Sequence, residues 1–251
     1  MKRLIINFGI SAASKKFRTL ALLALTLVVG VNNEAWGQNY TSKNNGNWDV
    51  DNTWTQSGYP TSDKKVTISH NVTLNVNYTT TKELIINTNG ILNVVNGDLT
   101  MSGSALSSYG RINIAEGKNV TVGIGSNLNL YSDVTIDGYG GGYGTLILNH
   151  KIKSNNNTVR KLYTYVDVFA EKGTKTENGC TNHNWTFQNI SLFVKKNTFT
   201  NNRDVHNDCD NSDAKINNIT IDSEGKFVSN YNTYITGSLT MNGGTLQIAK
   251  G

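Results

Sequence analysis

The sequence predicts an all-β fold, a right-handed parallel β-helix, and three observations carry that prediction. After residue 65 the chain is a series of short segments that alternate apolar and polar side chains. Many of these segments return after about twenty residues, the length of one coil of a three-faced solenoid. Two adjacent blocks near residue 100 also recur, in the same order, near residue 240.

In chain order, residues 1–37 read as a signal peptide. Lys2, Arg3, Lys15, Lys16 and Arg18 form a basic leader, and residues 19–31 form an apolar run. That run is about 13 residues, short of the roughly 20 that a spanning helix needs. Ala35-Trp36-Gly37 places small residues at a cleavage site and leaves Gln38 as the new N-terminus. The expectation is a chain exported through a cleaved signal, secreted or held at the cell surface, with no membrane span in its mature part.

The leader also explains the charge. The whole chain has 23 Lys and Arg against 18 Asp and Glu. Five of the former and one of the latter lie in residues 1–37, which leaves 18 against 17. A near-neutral mature chain without a basic cluster argues against nucleic-acid binding. The 251 residues include 37 Asn, 24 Gly and a single proline, Pro60. Asn and Gly suit tight turns, Thr and Val suit pleated strands, and no long helical period occurs.

Residues 38–65 are expected to be an N-terminal capping segment, and residues 66–251 the β-helix. Its strands start as Val66-Thr67-Ile68, Val72-Thr73-Leu74, Leu84-Ile85-Ile86, Leu92-Asn93-Val94 and Leu99-Thr100-Met101. Ile112-Asn113-Ile114, Val120-Thr121-Val122, Leu128-Asn129-Leu130, Val134-Thr135-Ile136 and Leu146-Ile147-Leu148 follow. Period-2 alternation marks a strand with one buried face. Leu92 to Ile112 is 20 residues, Leu99 to Val120 is 21, and Leu128 to Leu146 is 18. The repeated blocks are Gly97-Asp98-Leu99-Thr100-Met101-Ser102-Gly103 against Gly237-Ser238-Leu239-Thr240-Met241-Asn242-Gly243, each followed by a further matching segment. Val134-Thr135-Ile136-Asp137 similarly echoes Ile219-Thr220-Ile221-Asp222. A β-sandwich or jelly roll is the rival architecture.

Residues 150–215 break the rhythm. Strands are expected at Tyr165-Val166-Asp167-Val168-Phe169 and Asn189-Ile190-Ser191-Leu192-Phe193-Val194. Loop excursions at about 170–184 and 195–215 lie between and after them, where a rigid scaffold holds out its binding residues. The chain stops at Gly251, directly after a coil segment; truncation at the C-terminus is the preferred reading, with cover by a partner as the other.

One stretch carries a family resemblance. Asn47-Trp48, Thr53-Trp54, Tyr59-Pro60, Asp63, Val66-Thr67-Ile68 and Val72-Thr73-Leu74 resemble the G8-type entry segment found before β-helical repeats in extracellular proteins, including surface proteins of Bacteroidota. The likeness covers about 30 residues. It implies an extracellular β-helix and no transferable catalytic residue. Trp48 and Trp54 are large enough to cover the open apolar end of a first coil; sugar stacking by their rings is the competing role.

Candidate chemistry is sparse. Cys180 and Cys209 are the two cysteines, and in an exported chain an even pair suggests a disulfide. Two free thiols are the alternative. Asp208, Asp210 and Asp213 are spaced for a possible calcium loop. They lack the glycine and terminal glutamate of a calcium-binding helix-loop-helix, and a solvated acidic loop is preferred, so no cofactor is expected. Asp133, Asp137 and Asp167 are the nearest approach to paired glycosidase carboxylates, but Asp137-Gly138 reads as a turn. His70, His150, His183 and His206 fall in separate segments. The glycines from Gly138 to Gly144 precede a strand rather than a helix, so they read as a turn and not a phosphate loop. The sequence thus points to a non-enzymatic, adhesin-type surface protein whose partner is an extracellular glycan or surface protein. The alternative is a carbohydrate-active β-helix, a polysaccharide lyase or glycoside hydrolase, or the N-terminal part of one.

Overall fold

The computed structural model describes residues 39–149, 151–155, 158–171, 175–177, 180–182, 187–202, 216–230 and 233–249; for 175–177 and 180–182 only the backbone is described. All of them lie in one compact unit, Asn39–Gly251. The chain enters as β1 (Tyr40–Thr41) and β2 (Gly46–Asn47), followed by a 3-10 turn at Asp51–Thr53. The second coil is β3 (Val66–Ile68), β4 (Asn71–Leu74) and β5 (Tyr78–Thr80), and the third is β6 (Leu84–Ile86), β7 (Ile91–Val94) and β8 (Leu99–Met101). The fourth is β9 (Leu106–Ser108), β10 (Arg111–Ile114) and β11 (Asn119–Val122); the fifth is β12 (Leu128–Leu130), β13 (Val134–Gly138) and β14 (Thr145–Leu148). The sixth is β15 (Ile152–Ser154), β16 (Arg160–Thr164) and β17 (Asp167–Ala170). Then come a hairpin of β18 (Lys175–Glu177) and β19 (Cys180–Asn182), β20 (Phe187–Gln188), β21 (Ile190–Asn201), β22 (Asn218–Ser229), β23 (Leu239–Asn242) and β24 (Thr245–Ile248).

The strands stack as three faces of a parallel β-helix. The first face is β1-β3-β6-β9-β12-β15-β20. The second is β2-β4-β7-β10-β13-β16-β21, and the third is β5-β8-β11-β14-β17-β21. Below them, β21 and β22 each serve the second and third faces together, and β23 and β24 sit under the two halves of β22. The passage through that corner is made at a register shift between Val194 and Lys196. Asn197 is left-handed there (φ 58°) and donates its Nδ2 to the Tyr165 carbonyl at 2.7 Å.

The alternating triplets explain the stack. In β3, β6, β8 and β12 the outer two residues of the triplet are buried and the middle one is not. Val72, Leu92, Ile112 and Ile136 form one interior column, each fully buried above the next. Burying a side chain of this kind contributes about 1.5–3 kcal/mol. Backbone groups of each strand are satisfied by the coils above and below, so neither element is stable alone.

The ten triplets all lie in strands, but several readings need correction. Leu92–Ile112 and Leu99–Val120 are true register partners. Leu128, however, pairs with Leu106 and Ile152, and Leu146 pairs with Val120 and Val168, so the 18-residue step joins different faces. The fifth coil is lengthened by the turn Tyr139-Gly140-Gly141-Gly142, with Gly140 and Gly141 at φ 63° and 89°. Asp137 and Gly138, read as a turn, belong to β13 and pair with Asn113 and Ile114. The loop expected from 195 gives way to the second half of β21, because Phe199 faces the interior between Val168 and Phe227. Tyr165 and Val166, expected in a strand, form the corner before β17. The long repeat does not preserve position either: Leu99 lies on the third face and Leu239 on the second. The shared triplet specifies a strand, and any face accepts it.

Asparagine has a more specific role than turn formation. Among described non-glycine residues only Asn189 and Asn197 have positive φ. Elsewhere a corner Asn or Asp accepts a backbone N–H from the next coil. Asn45 caps Asn71, Asn77 caps Asp98, Asp98 caps Asn119, Asp133 caps Lys161, Asp167 caps Thr198 and Asn218 caps Ser238, at 2.8 to 3.0 Å. Each bond satisfies a donor where the ladder is interrupted by a corner.

Glycine at the corners has a steric cause. A Cβ on Gly110 would stand 2.3 Å from the Gly90 carbonyl oxygen and 2.7 Å from that of Asn87. Gly110→Ala is therefore expected to lower stability by about 1–3 kcal/mol, since a backbone must shift to admit the methyl. Urea unfolding beside the exposed control Asn96→Ala checks this; equal midpoints would show the corner to be loose.

Candidate ligand-binding face

The entry segment places Trp48 and Trp54 inside. Both are fully buried, with ring centroids 5.1 Å apart and nearly perpendicular. Trp48 also packs on Tyr78 at 4.5 Å, and Trp54 meets Tyr40 at 6.1 Å. Trp54 Nε1 donates to the Trp48 carbonyl at 2.7 Å, and Trp48 Nε1 to that of Pro60 at 3.4 Å. Burial pushes the Tyr78 hydroxyl up to about 12, and it donates to the Thr61 carbonyl at 2.9 Å. His70 Nδ1 donates to the Ser42 carbonyl at 2.8 Å and ties the first coil to the second. Neither Trp48 nor Trp54 leaves an indole face for a ligand.

The outer side of the second face is more varied. Its outward row runs Asn71, Ile91, Arg111, Thr135, Tyr163, Phe193, Thr220 and Thr240 in register. Asn113 donates to Asn93 at 2.7 Å, and Asn93 donates to Asn71. Arg111 lies 3.3 Å from Asp137, Lys161 4.0 Å from Asp133, Lys195 2.6 Å from Asp222 and Lys196 2.8 Å from Glu224. Tyr163 and Phe193 stack at 4.9 Å, with Lys161 and Lys195 each 5.9 Å from the Phe193 ring centre. At the corner between the first and second faces lies a groove of about 330 Å³, lined by Thr88, Asn89, Tyr109, Arg111, Asp133 and Thr135 among others.

Charge pairing sets the titration. Lys195 holds the Asp222 carboxyl below its ordinary 3.8, with help from Asn242, and Asp222 in turn raises Lys195 above 10.5. The Asp222 contribution is therefore complete above pH 3.8 and fades as the pH falls through the lowered value. The Lys195 contribution is complete below pH 10.5 and fades as the pH rises through the raised one. Asp222→Asn is expected to cost about 1 kcal/mol at neutral pH, because the pair is still reached by water, with 28% and 26% of the two side chains exposed, and the amide keeps an acceptor oxygen. Stability of the variant should fall less on acidification than that of the parent. Denaturant titrations at neutral and acidic pH check this, and parallel losses would assign the acid sensitivity elsewhere.

The proposed carboxylate trio is not assembled into a catalytic pair. Asp133 and Asp167 cap backbone N–H groups, and Asp137 bridges to Arg111. Cys209, Asp208, Asp210, Asp213, the Cys180 side chain and the signal segment lie outside the described residues. Among described residues, no group of three or more His, Cys, Asp or Glu is placed to hold a metal ion, and no helix is long and apolar enough to cross a membrane. The sequence reading missed the Tyr109–Arg111 corner because the strand before it, Leu106-Ser107-Ser108, does not alternate apolar and polar residues. No family model, no curated protein and no solved structure matches the chain.

Proposed function

We propose that this chain is an extracellular, non-enzymatic β-helical module of adhesin type, whose outer wall engages a glycan or surface partner. The observation that carries the reading is the employment of the outer carboxylates. Asp133, Asp137 and Asp222 each brace a neighbouring coil through a cation, a backbone N–H or both. Glycoside hydrolysis needs one carboxyl that can hold a proton beside a second that cannot. Of these carboxyls Asp222 is held below its ordinary value by Lys195, the opposite of an acid poised to donate a proton. Export rests on the leader-like residues 1–37, and the G8-type character of residues 47–74 supports an extracellular setting.

A carbohydrate-active role has one observation in its favour, the groove that gathers Tyr109, Arg111 and Asp133. A glycan array combined with an assay for release of reducing or unsaturated ends separates the readings. Capture without turnover is the expected result. Turnover abolished by Asp133→Asn would replace adhesion by catalysis, and absence of any capture would remove the glycan partner.

A further inference from the structure

Three successive corners that join the first face to the second, in the third, fourth and fifth coils, differ in length. In the third coil four residues, Asn87, Thr88, Asn89 and Gly90, separate β6 from β7. In the fourth only Tyr109 and Gly110 separate β9 from β10, and in the fifth Tyr131, Ser132 and Asp133 separate β12 from β13. A short corner between two longer ones is set back, and the result is the 330 Å³ groove. Thr88 and Asn89 form one bank and Asp133 the other, and Arg111 and Thr135 extend it onto the second face. The Tyr109 ring and the Asp133 bank are each held by the neighbouring coil. Tyr109 stacks on Tyr131 at 4.6 Å and 25°, and Asp133 Oδ1 accepts the Lys161 N–H at 2.9 Å.

We propose that this notch is a binding site for a neutral saccharide, one or two pyranose units at the end of a glycan. The inference rests on the adhesive reading above and gives it a place and a ligand class. Three features select that class. The volume lies at the small end of the range for small-molecule sites, about 300–1,000 Å³, too small for an extended peptide with side chains. The lining offers Arg111 as donor, Asp133 as acceptor, and Thr88, Asn89 and Thr135 as both, which matches vicinal hydroxyls that must donate and accept together. Ile91 and the fixed Tyr109 ring supply an apolar side for the C–H face of a sugar.

Charge decides against acidic sugars. Arg111 is already compensated by Asp137 at 3.3 Å, and Asp133 by Lys161 at 4.0 Å. A uronate or phosphate would have to displace a carboxylate from Arg111, whereas a hydroxyl can use the guanidinium N–H groups that the bridge leaves over.

The test is a titration of the full chain with methyl glycosides of neutral hexoses and, in parallel, with galacturonate, followed by NMR chemical shifts and calorimetry. A neutral glycoside is expected to saturate and to shift Tyr109, Gly110 and Arg111. Arg111→Ala and Asp133→Asn are each expected to weaken binding by about tenfold or more, as loss of a hydrogen bond to a charged group does. Thr135→Val changes one outward hydroxyl and leaves the interior intact, so it carries the test if Arg111→Ala fails to fold. If the parent captures glycans on an array but these variants bind with unchanged affinity, the notch is the wrong site and the adhesive reading stands. If the parent binds no glycan, the notch proposal falls and the adhesive reading keeps only a surface-protein partner. Tighter binding of galacturonate than of every neutral glycoside would overturn the ligand class.

Discussion

Trp54→Ala is expected to cost about 3–5 kcal/mol and to lower the melting temperature by roughly 6–20 °C. The indole is fully buried, packs edge-on against Trp48, and donates to the Trp48 carbonyl. We propose that the pair caps the first coil, whose apolar interior would otherwise face water. Trp48→Ala should behave alike, because its ring lies between Trp54 and Tyr78. Trp54→Phe should fall between, since it keeps much of the ring and loses the N–H. Calorimetric melting of the four proteins checks the series. Unchanged melting with loss of glycan capture would turn both residues from cap to ligand platform.

Phe199→Ala should produce a loss of similar size at the other side of the interior, again about 3–5 kcal/mol. Phe199 is fully buried between Phe187, 6.0 Å away, and Phe227, stacked at 5.6 Å and 12°. The ring thus packs on a neighbour in its own coil and on one in the next, and its removal leaves a cavity that two aromatic neighbours cannot fill without leaving their own stack. Phe199→Leu should recover part of the loss. Urea midpoints for the three proteins check it. An alanine variant as stable as the parent would mean that the interior collapses freely around the gap.

Much of the architecture was legible because a strand in this fold is defined by three residues. An apolar-polar-apolar triplet has one dry and one wet side wherever it sits, so Val66-Thr67-Ile68 and Leu128-Asn129-Leu130 were readable without knowing their neighbours. Which face a triplet joins depends on the length of the corners between, and short strands with polar interiors obscured that count. Leu106-Ser107-Ser108 is buried throughout, yet two serines disguise it as a loop. Phe199 was hidden for the opposite reason: it lies beyond Lys195 and Lys196, two charged residues that resemble a loop but point outward along β21. The groove was less legible still. It arises from a difference between three corners, and no single segment records it. Asparagine was read for its backbone tolerance, whereas Asn45, Asn77 and Asn218 cap the next coil through the side-chain oxygen.

The unequal corners separate two kinds of change to the gene. A residue deleted within β7 or β10 would move every later side chain of that strand to the opposite side and turn the interior column outward. A residue added between β12 and β13 leaves the register of both strands in place, because each is already held by the levels above and below. The outer relief of this chain can therefore be remodelled by insertion at its edges, while the registration of its walls is inherited unchanged.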